Sequence, residues 1–220
     1  MQRSLIFLIA LFAVVAFTGC GKEDEGISGL ENAKVGDILI FGSYEQDNDT
    51  GNGREPISWL VLAVEDGKML LIAEENLDCQ PYNTEDTDIT WENCTLRSWL
   101  NNDFVNSAFT PAQQSAIALT DLTNNDNSEY GTNGGNSTQD KIFLLSIDEA
   151  NKYFAGDSDR AAKNTAYAKA QGASGRWWLR SPGLYADRAA GVRSDGFVFE
   201  IGDRVDYDND AVRPALWLDL

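Results

Sequence analysis

The alternation of apolar and polar residues after residue 34 predicts a β-meander. Residues 35–44 alternate, and two further apolar runs follow at residues 58–65 and 68–74. The last two runs are joined by Asp66-Gly67, a dipeptide typical of a two-residue hairpin turn. The pattern therefore predicts three antiparallel strands, with residues 47–54 as a loop between the first two.

In the middle of the chain the apolar spacing changes to a helical period. One helix face is predicted to carry Leu96, Trp99, Leu100, Phe104 and Val105. Two capping boxes, Thr110 with Gln113 and Ser146 with Glu149, indicate that further helices begin there. Alanine-rich residues 159–171 also have high helical propensity. The middle of the chain is therefore predicted to be mainly helical.

Short apolar runs return after residue 140 and predict strands again. The predicted strands are residues 141–145, 176–180, 189–192, 197–201 and 211–218. Strands first, helices in the middle and strands last is the order of an α+β fold and not of a βαβ alternation. We therefore predict an antiparallel meander and a C-terminal antiparallel sheet with helices inserted between them. Residues 35–220 are predicted to form a single globular domain.

The first 34 residues carry a different pattern, typical of an export signal. Arg3 precedes an apolar run of about 13 residues, shorter than the roughly 20 that a membrane span needs. The run ends at Gly19-Cys20, which resembles the lipobox of bacterial lipoproteins and implies lipidation of Cys20. We expect a signal peptide at residues 1–19, a flexible tether at residues 20–34, and a domain anchored by lipid to the outer face of the bacterial cell membrane. A plain secretory signal or a transmembrane anchor is the alternative.

Charge and composition exclude several classes of function. The chain has 17 Lys and Arg against 35 Asp and Glu, a net charge of −18, which repels nucleic acid, so no nucleic-acid partner is expected. It has no histidine, which removes imidazole bases, triads and histidine metal ligands. We therefore favour a binding protein over an enzyme. An extracellular polysaccharide hydrolase that uses two carboxylates is the alternative, since the many acids offer such pairs.

The remaining cysteines predict a disulfide. With Cys20 lipidated, Cys79 and Cys94 are two thiols in an exported protein, where disulfides persist. Two free buried thiols are the alternative.

Two acidic segments suggest calcium as the one candidate cofactor. Asp47 and Asp49 resemble the start of a calcium loop, and Asp206, Asp208 and Asp210 place carboxylates at alternate positions. Carboxylate oxygens are the ligands that Ca²⁺ prefers. A solvated acidic loop is the alternative at both places.

Three C-terminal segments carry a family resemblance: WWLRSPG at residues 177–183, AAGVRSDGFV at 189–198 and AVRPALWL at 211–218. They resemble the signature of DUF6273, a domain of unknown function, and GDILIFGSYEQDNDT and WENCTLRSWLNNDF match the same family pattern. The resemblance covers residues 35–220 and implies an exported bacterial protein. The C-terminal part is similar to the C-type-lectin-like fold, which formylglycine-generating-enzyme-like domains also use.

Within this signature the residues divide into structural and ligand-binding candidates. Trp177, Trp217, Arg180 and Arg213 lie in apolar segments, so we expect the tryptophans to face inward and the arginines to meet carboxylates or backbone carbonyls. The candidate ligand-binding residues are Trp178, Tyr185, Asp187, Arg188, Arg193, Asp206, Tyr207 and Asp208. In lectin-like folds this surface tends to bind ligands, which implies a glycan, peptide or protein partner. An ordinary hydrated hairpin or a structural envelope lipoprotein is the alternative.

Overall fold

A computed structural model describes residues 32–220 of the chain. The predicted signal peptide, Cys20 and residues 20–31 of the predicted tether lie outside these residues. The described part combines mainly antiparallel sheets with short helices, which confirms the predicted α+β class. Among residues 32–220, no helix combines the length and the apolar character needed to cross a membrane.

The first sheet is a four-stranded antiparallel sheet with the order β1-β2-β3-β11. Its strands are β1 (Ile38–Tyr44), β2 (Glu55–Glu65), β3 (Lys68–Ala73) and β11 (Ala215–Asp219). Glu65 pairs with Lys68 across the turn. Asp66 and Gly67 both have positive φ, +51° and +73°, as a type I′ turn requires. The predicted meander and its hairpin turn are therefore present.

The second sheet has the order β4-β10-β7-β8-β9 and is antiparallel except where β10 pairs in parallel with β7. Its strands are β4 (Asp78–Cys79), β7 (Trp177–Pro182), β8 (Arg188–Val192), β9 (Val198–Arg204) and β10 (Ala211–Val212). A small separate hairpin pairs β5 (Thr120–Leu122) with β6 (Thr138–Asp140). The predicted C-terminal hairpin corresponds to β8 and β9.

The helices lie between the strands of the two sheets along the chain, as the apolar period predicts. They are a 3₁₀ turn (Trp91–Asn93), α1 (Thr95–Trp99), a π-helical segment (Leu100–Phe104), α2 (Val105–Ala108), α3 (Pro111–Ala116), α4 (Ile147–Tyr153), α5 (Asp157–Arg160) and α6 (Ala166–Ala170). Both predicted capping boxes form, at the starts of α3 and α4. In each box the side-chain hydroxyl of the N-cap residue accepts a hydrogen bond from the backbone N–H of the third helical residue. The side chain of that third residue accepts a hydrogen bond in return from the backbone N–H of the N-cap residue.

The single strand predicted over residues 211–218 is divided between the two sheets, so that prediction is corrected. β10 lies in the second sheet and β11 in the first, with Arg213 and Pro214 between them. Proline has no backbone N–H to donate to a ladder, so the crossing falls where the ladder must break. The C-terminal segment thus joins both sheets.

Two further predictions of elements were wrong. Residues 142–145 are buried and Lys141 is partly buried, but the segment forms no strand. Its sheet-like pairing with the rest of the described chain is the isolated bridge between Phe143 and Ala215. The alanine-rich stretch 159–171 forms α5 and α6 with a break between them. In this break Asn164 accepts from the amide of Asn76 at 2.7 Å, so a tertiary contact replaces the helix that propensity favours.

The predicted disulfide does not form, because Cys79 and Cys94 are free, buried thiols on separate elements. The Cys79 thiol lies on β4 and donates to the carbonyl of Asp208 at 3.1 Å. The Cys94 sulfur caps α1 by accepting from the Arg97 backbone N–H at 3.4 Å. Burial raises the pKa of each thiol to about 12, so both stay protonated at neutral pH.

The core places the two predicted structural arginines among backbone carbonyls and one carboxylate. Arg180 forms a two-pronged ion pair with Glu149 and donates to the Leu144 carbonyl at 2.9 Å. Arg213 donates to the carbonyls of Ala73 at 2.8 Å and Arg160 at 2.9 Å. Its guanidinium lies 5.1 Å from the ring centre of fully buried Trp177. Trp217 is only partly buried, at the edge of the same core.

Candidate functional site

Two tyrosine–arginine pairs lie side by side at one end of the second sheet. Arg188 on β8 is the direct partner of Arg204 on β9, and directly opposed residues of an antiparallel pair place their side chains on the same face. The Arg188 guanidinium lies 5.9 Å from the ring centre of Tyr185, and that of Arg204 lies 5.8 Å from Tyr207. These distances are in the range of cation–π interactions.

Turns at the ends of the strands place the two tyrosines. Tyr185 belongs to the turn that leads into β8, where its carbonyl accepts from the Arg188 N–H at 3.0 Å. Tyr207 follows β9, and its N–H donates to the Arg204 carbonyl at 3.1 Å. The start of β8 and the end of β9 are neighbours in an antiparallel pair, so the two turns meet at the same end of the sheet.

A third segment adds acidic groups to this end of the sheet. The Asn83 N–H donates to Val205 O at 2.8 Å and the Ile89 N–H to Ala186 O at 3.0 Å, which fastens the loop after β4 beside both turns. Asp86 in this loop forms an ion pair with Arg204. We call the set Asp86, Tyr185, Arg188, Arg204, Asp206 and Tyr207 the tyrosine–arginine face.

The two tyrosines of the tyrosine–arginine face are exposed, its arginines are partly buried, and its charges are largely balanced. Tyr185 is 59% and Tyr207 42% exposed, high values for aromatic side chains. Asp206 accepts from Arg204 Nε at 3.1 Å, and this hydrogen bond raises the pKa of the arginine. The Nε of Arg188 is buried and has no partner in the described part of the chain. The face therefore offers two aromatic rings flanked by donors and acceptors.

The structure separates three of the predicted ligand-binding residues from this face. Trp178 is fully buried and donates from Nε1 to Gln80 O at 3.0 Å, so the prediction that it contacts a ligand is corrected. Arg193 follows the opposite end of β8, where its guanidinium lies 4.3 Å from the ring centre of Phe199. Asp208 is exposed beyond Tyr207, near the β4 edge.

Asp187 lies in the turn before β8 but directs its polar groups inward. Its carbonyl accepts from the Val205 N–H at 3.0 Å, and its Oδ1 is buried without a partner in the described residues. It therefore connects the two turns of the face and keeps one of its two carboxylate oxygens, Oδ1, away from solvent.

The alternating acids near the C-terminus do not converge into a calcium site. Asp206 pairs with Arg204, and Asp210 is buried and pairs with Arg176 at 2.9 Å. Each of these carboxylates already has a cationic partner, which leaves Asp208 alone. Within residues 32–220, no group of three acids forms there. The calcium hypothesis is therefore corrected for this segment.

The other predicted calcium segment brings Asp47 beside two acids that are not among the predicted metal ligands. One oxygen each of Glu45, Asp47 and Glu55 lie within 4.8 Å of one another. Asp49 is not one of the three, and its Oδ1 accepts from the Gly51 N–H at 3.1 Å. Glu45 also lines a pocket of about 420 Å³ together with Tyr44, Arg54 and Tyr167, among others.

Pairing across the hairpin could have identified Glu45 and Glu55. Tyr44 pairs with Glu55 at the loop end of β1 and β2, which makes residue 45 a neighbour of residue 55. Asp86, by contrast, reaches the tyrosine–arginine face only through tertiary contacts of its loop. No local sequence signal marks it.

The fold and these sites define an α+β domain with an exposed aromatic and charged face and a separate acidic cluster. The family DUF6273, described as a domain of unknown function, matches residues 66–220, and the chain belongs to this family. The match begins in the turn between β2 and β3, so β1 and β2 precede it. Among curated proteins none matches the chain, and the same holds for solved structures.

Proposed function

We propose that the protein is an exported binding module that recognises a glycan at the cell surface through the tyrosine–arginine face. The observation that carries the proposal is the pair of exposed tyrosines, Tyr185 and Tyr207, each beside an arginine at one end of the sheet. Aromatic rings stack on the apolar faces of sugars, while arginine and aspartate bind hydroxyl groups. A peptide or protein ligand is the competing outcome.

Two further parts of the proposal rest on the sequence. The lipobox-like ending at Gly19-Cys20 supports lipid anchoring, which would hold the face outside the cytoplasm. The C-terminal signature supports a C-type-lectin-like character for β7 to β11, in which such a surface would be the ligand site.

The acids of the face favour binding over hydrolysis. A glycosidase needs two carboxyl groups, one of them free to donate a proton. Asp86 and Asp206 both form ion pairs with Arg204, so neither carboxyl group is free for this role. They are therefore suited to orienting a ligand.

A glycan array probed with the full chain in detergent micelles tests the proposed face. We expect Tyr185→Ala and Tyr207→Ala each to reduce the signal of the bound glycans about 5- to 30-fold, because a stacking ring contributes roughly 1–2 kcal/mol. Tyr130→Ala is the matched control, since this tyrosine is 38% exposed and lies outside the face. Undiminished signal in both face variants would refute the proposal, as would an equal loss in the control.

A further inference from the structure

Three carboxylates converge at the loop end of the β1–β2 hairpin. Glu45 directly follows β1, Glu55 begins β2, and Asp47 lies in the loop between them. One oxygen of each lies within 4.8 Å of the other two. Carboxylates at this separation repel each other unless a proton or a cation lies between them.

Glu45 supplies an independent reason to expect a cation. It is only 8% exposed, and its Oε1 is buried with no hydrogen-bond partner in the described part of the chain. A buried carboxylate oxygen without a partner is costly, and metal coordination is one of the standard ways to compensate it. None of the ion pairs within residues 32–220 includes any of the three acids.

A nearby arginine, Arg54, forms a hydrogen bond with another part of the fold. Arg54 precedes Glu55 and lines the pocket beside Glu45, but its guanidinium donates to the carbonyl of Ser107. Among residues 32–220, Arg54 therefore does not form an ion pair with the cluster.

Backbone and side-chain donors hold the other two carboxylates in place. Glu55 Oε2 accepts from the Gln46 N–H at 2.7 Å and the Asp47 N–H at 3.2 Å. Asp47 accepts from the Asp49 N–H at 2.7 Å and from the Asn52 side-chain amide at 2.8 Å. A carboxylate has about four lone-pair sites, so each still has capacity for a metal ion.

We propose that Glu45, Asp47 and Glu55 bind one calcium ion. Hard carboxylate oxygens are the ligands of Ca²⁺, which accepts irregular sites with six to eight oxygens, whereas Mg²⁺ requires a near-ideal octahedron and keeps several waters. The three acids leave room for water or ligand oxygens in the remaining positions. A bound ion would fix the loop that borders the Tyr44–Tyr167 pocket, and this role is independent of the tyrosine–arginine face.

Thermal unfolding of the full chain in detergent micelles tests the site. After removal of metal with EDTA, we expect CaCl₂ at about 10 mM to raise the Tm by about 3–11 °C, given a dissociation constant of about 0.1–1 mM, typical of weak extracellular sites. MgCl₂ at the same concentration controls for screening of the acidic chain. It should raise the Tm by less than half as much.

Variants separate this site from nonspecific binding. Glu45→Gln should abolish the calcium-dependent rise, and its metal-free Tm should equal or exceed that of the unsubstituted chain, because one repelling charge is removed. Glu85→Gln, which removes an exposed charge outside the cluster, should keep the full rise. An equal rise in Glu45→Gln, no rise in the unsubstituted chain, or an equal response to MgCl₂ would each overturn the proposal.

Discussion

One arginine serves two carboxylates where β7, β9 and β10 come together. Arg176 Nη1 lies 2.8 Å from Asp203 Oδ2, and its Nε lies 2.9 Å from Asp210 Oδ1. Burial raises the pKa of Asp210 to about 6, with the Asp203 carboxylate adding to the rise and Arg176 opposing it. Two carboxylates and one guanidinium therefore leave a negative charge that folding does not fully compensate.

This arrangement predicts a pH dependence of stability. The pKa of Asp210 is higher in the folded than in the unfolded chain, so the folded state binds this proton more tightly. The contribution of Asp210 to the free energy of unfolding is therefore greatest below about pH 4 and is lost as the pH rises to about 6. Asp203→Asn removes the neighbouring charge and should lower the pKa of Asp210, which makes this loss smaller.

Urea denaturation of the variant at intervals between about pH 4 and pH 7 measures the effect. Glu85→Gln is the control, because it removes an exposed acid away from Arg176. Its stability should follow the same pH course as the unsubstituted chain. If the free energy of unfolding fell with rising pH as much in Asp203→Asn as in the unsubstituted chain, this pH dependence could not be assigned to Asp210.

At the scale of an element, the bulge in β1 depends on one glycine. The register of β1 against β2 shifts between Ile40 and Ser43, and Gly42 within this segment has a φ of +73°. A Cβ added at Gly42 would lie 2.6 Å from the Phe109 ring and 2.8 Å from the Ala108 carbonyl. The bulge lets the strand pass close to the end of α2.

Gly42→Ala should therefore destabilise the protein by roughly 2–4 kcal/mol, because it combines an unfavourable φ with a clash in the core. Gly36→Ala is a matched control, since Gly36 has a φ of +93° but an added Cβ would meet nothing within 4 Å. Gly36→Ala should destabilise the protein by only about 1 kcal/mol, because only the unfavourable φ contributes there. If urea denaturation showed equal losses of unfolding free energy in the two variants, the Phe109 ring would have to move aside and the clash would add nothing to the cost.

The elements that the sequence predicts correctly are those with a complete local signal. The Asp66-Gly67 turn and the capping boxes at Thr110 and Ser146 need only residues within one turn, so tertiary contacts do not change them. Residues 141–145 lack such a signal, because a buried apolar run looks the same inside or outside a sheet. The prediction that Trp178 contacts a ligand was wrong for a related reason. Both faces of β7 are buried, so the alternation of residues along this strand does not indicate which side chains are exposed.

At the scale of the whole molecule, the C-terminal segment joins the two sheets. β10 and β11 are separated only by Arg213 and Pro214, yet they belong to different sheets. Arg213 donates to the Ala73 carbonyl at the end of β3 and to the Glu74 carbonyl beyond it. Burial lowers its pKa to about 10, so it remains charged at neutral pH. Removing it would leave several buried carbonyls without a donor.

The candidate sites depend on contacts across the whole molecule more than the helices and strands do. Tyr185 and Tyr207 can be predicted as exposed aromatics of a hairpin, but their approach requires the pairing of Arg188 with Arg204. Asp86 arrives from a separate loop that follows β4. The sequence therefore predicts the composition of the face better than its geometry, since the geometry depends on contacts between residues far apart in the chain.

Because the two sheets share the C-terminal segment and one buried core, we predict that they unfold together. The buried core runs without interruption from Leu71 on β3 to Ala190 on β8. Leu71→Ala should cost about 2–5 kcal/mol through the cavity it leaves. If the unfolding is cooperative, the slowest-exchanging amides of β8 should lose as much protection against hydrogen exchange as those of β3, although β8 lies in the other sheet. Loss of protection in β3 with unchanged protection in β8 would show that the sheets unfold independently, and that the Arg213–Pro214 crossing does not couple them.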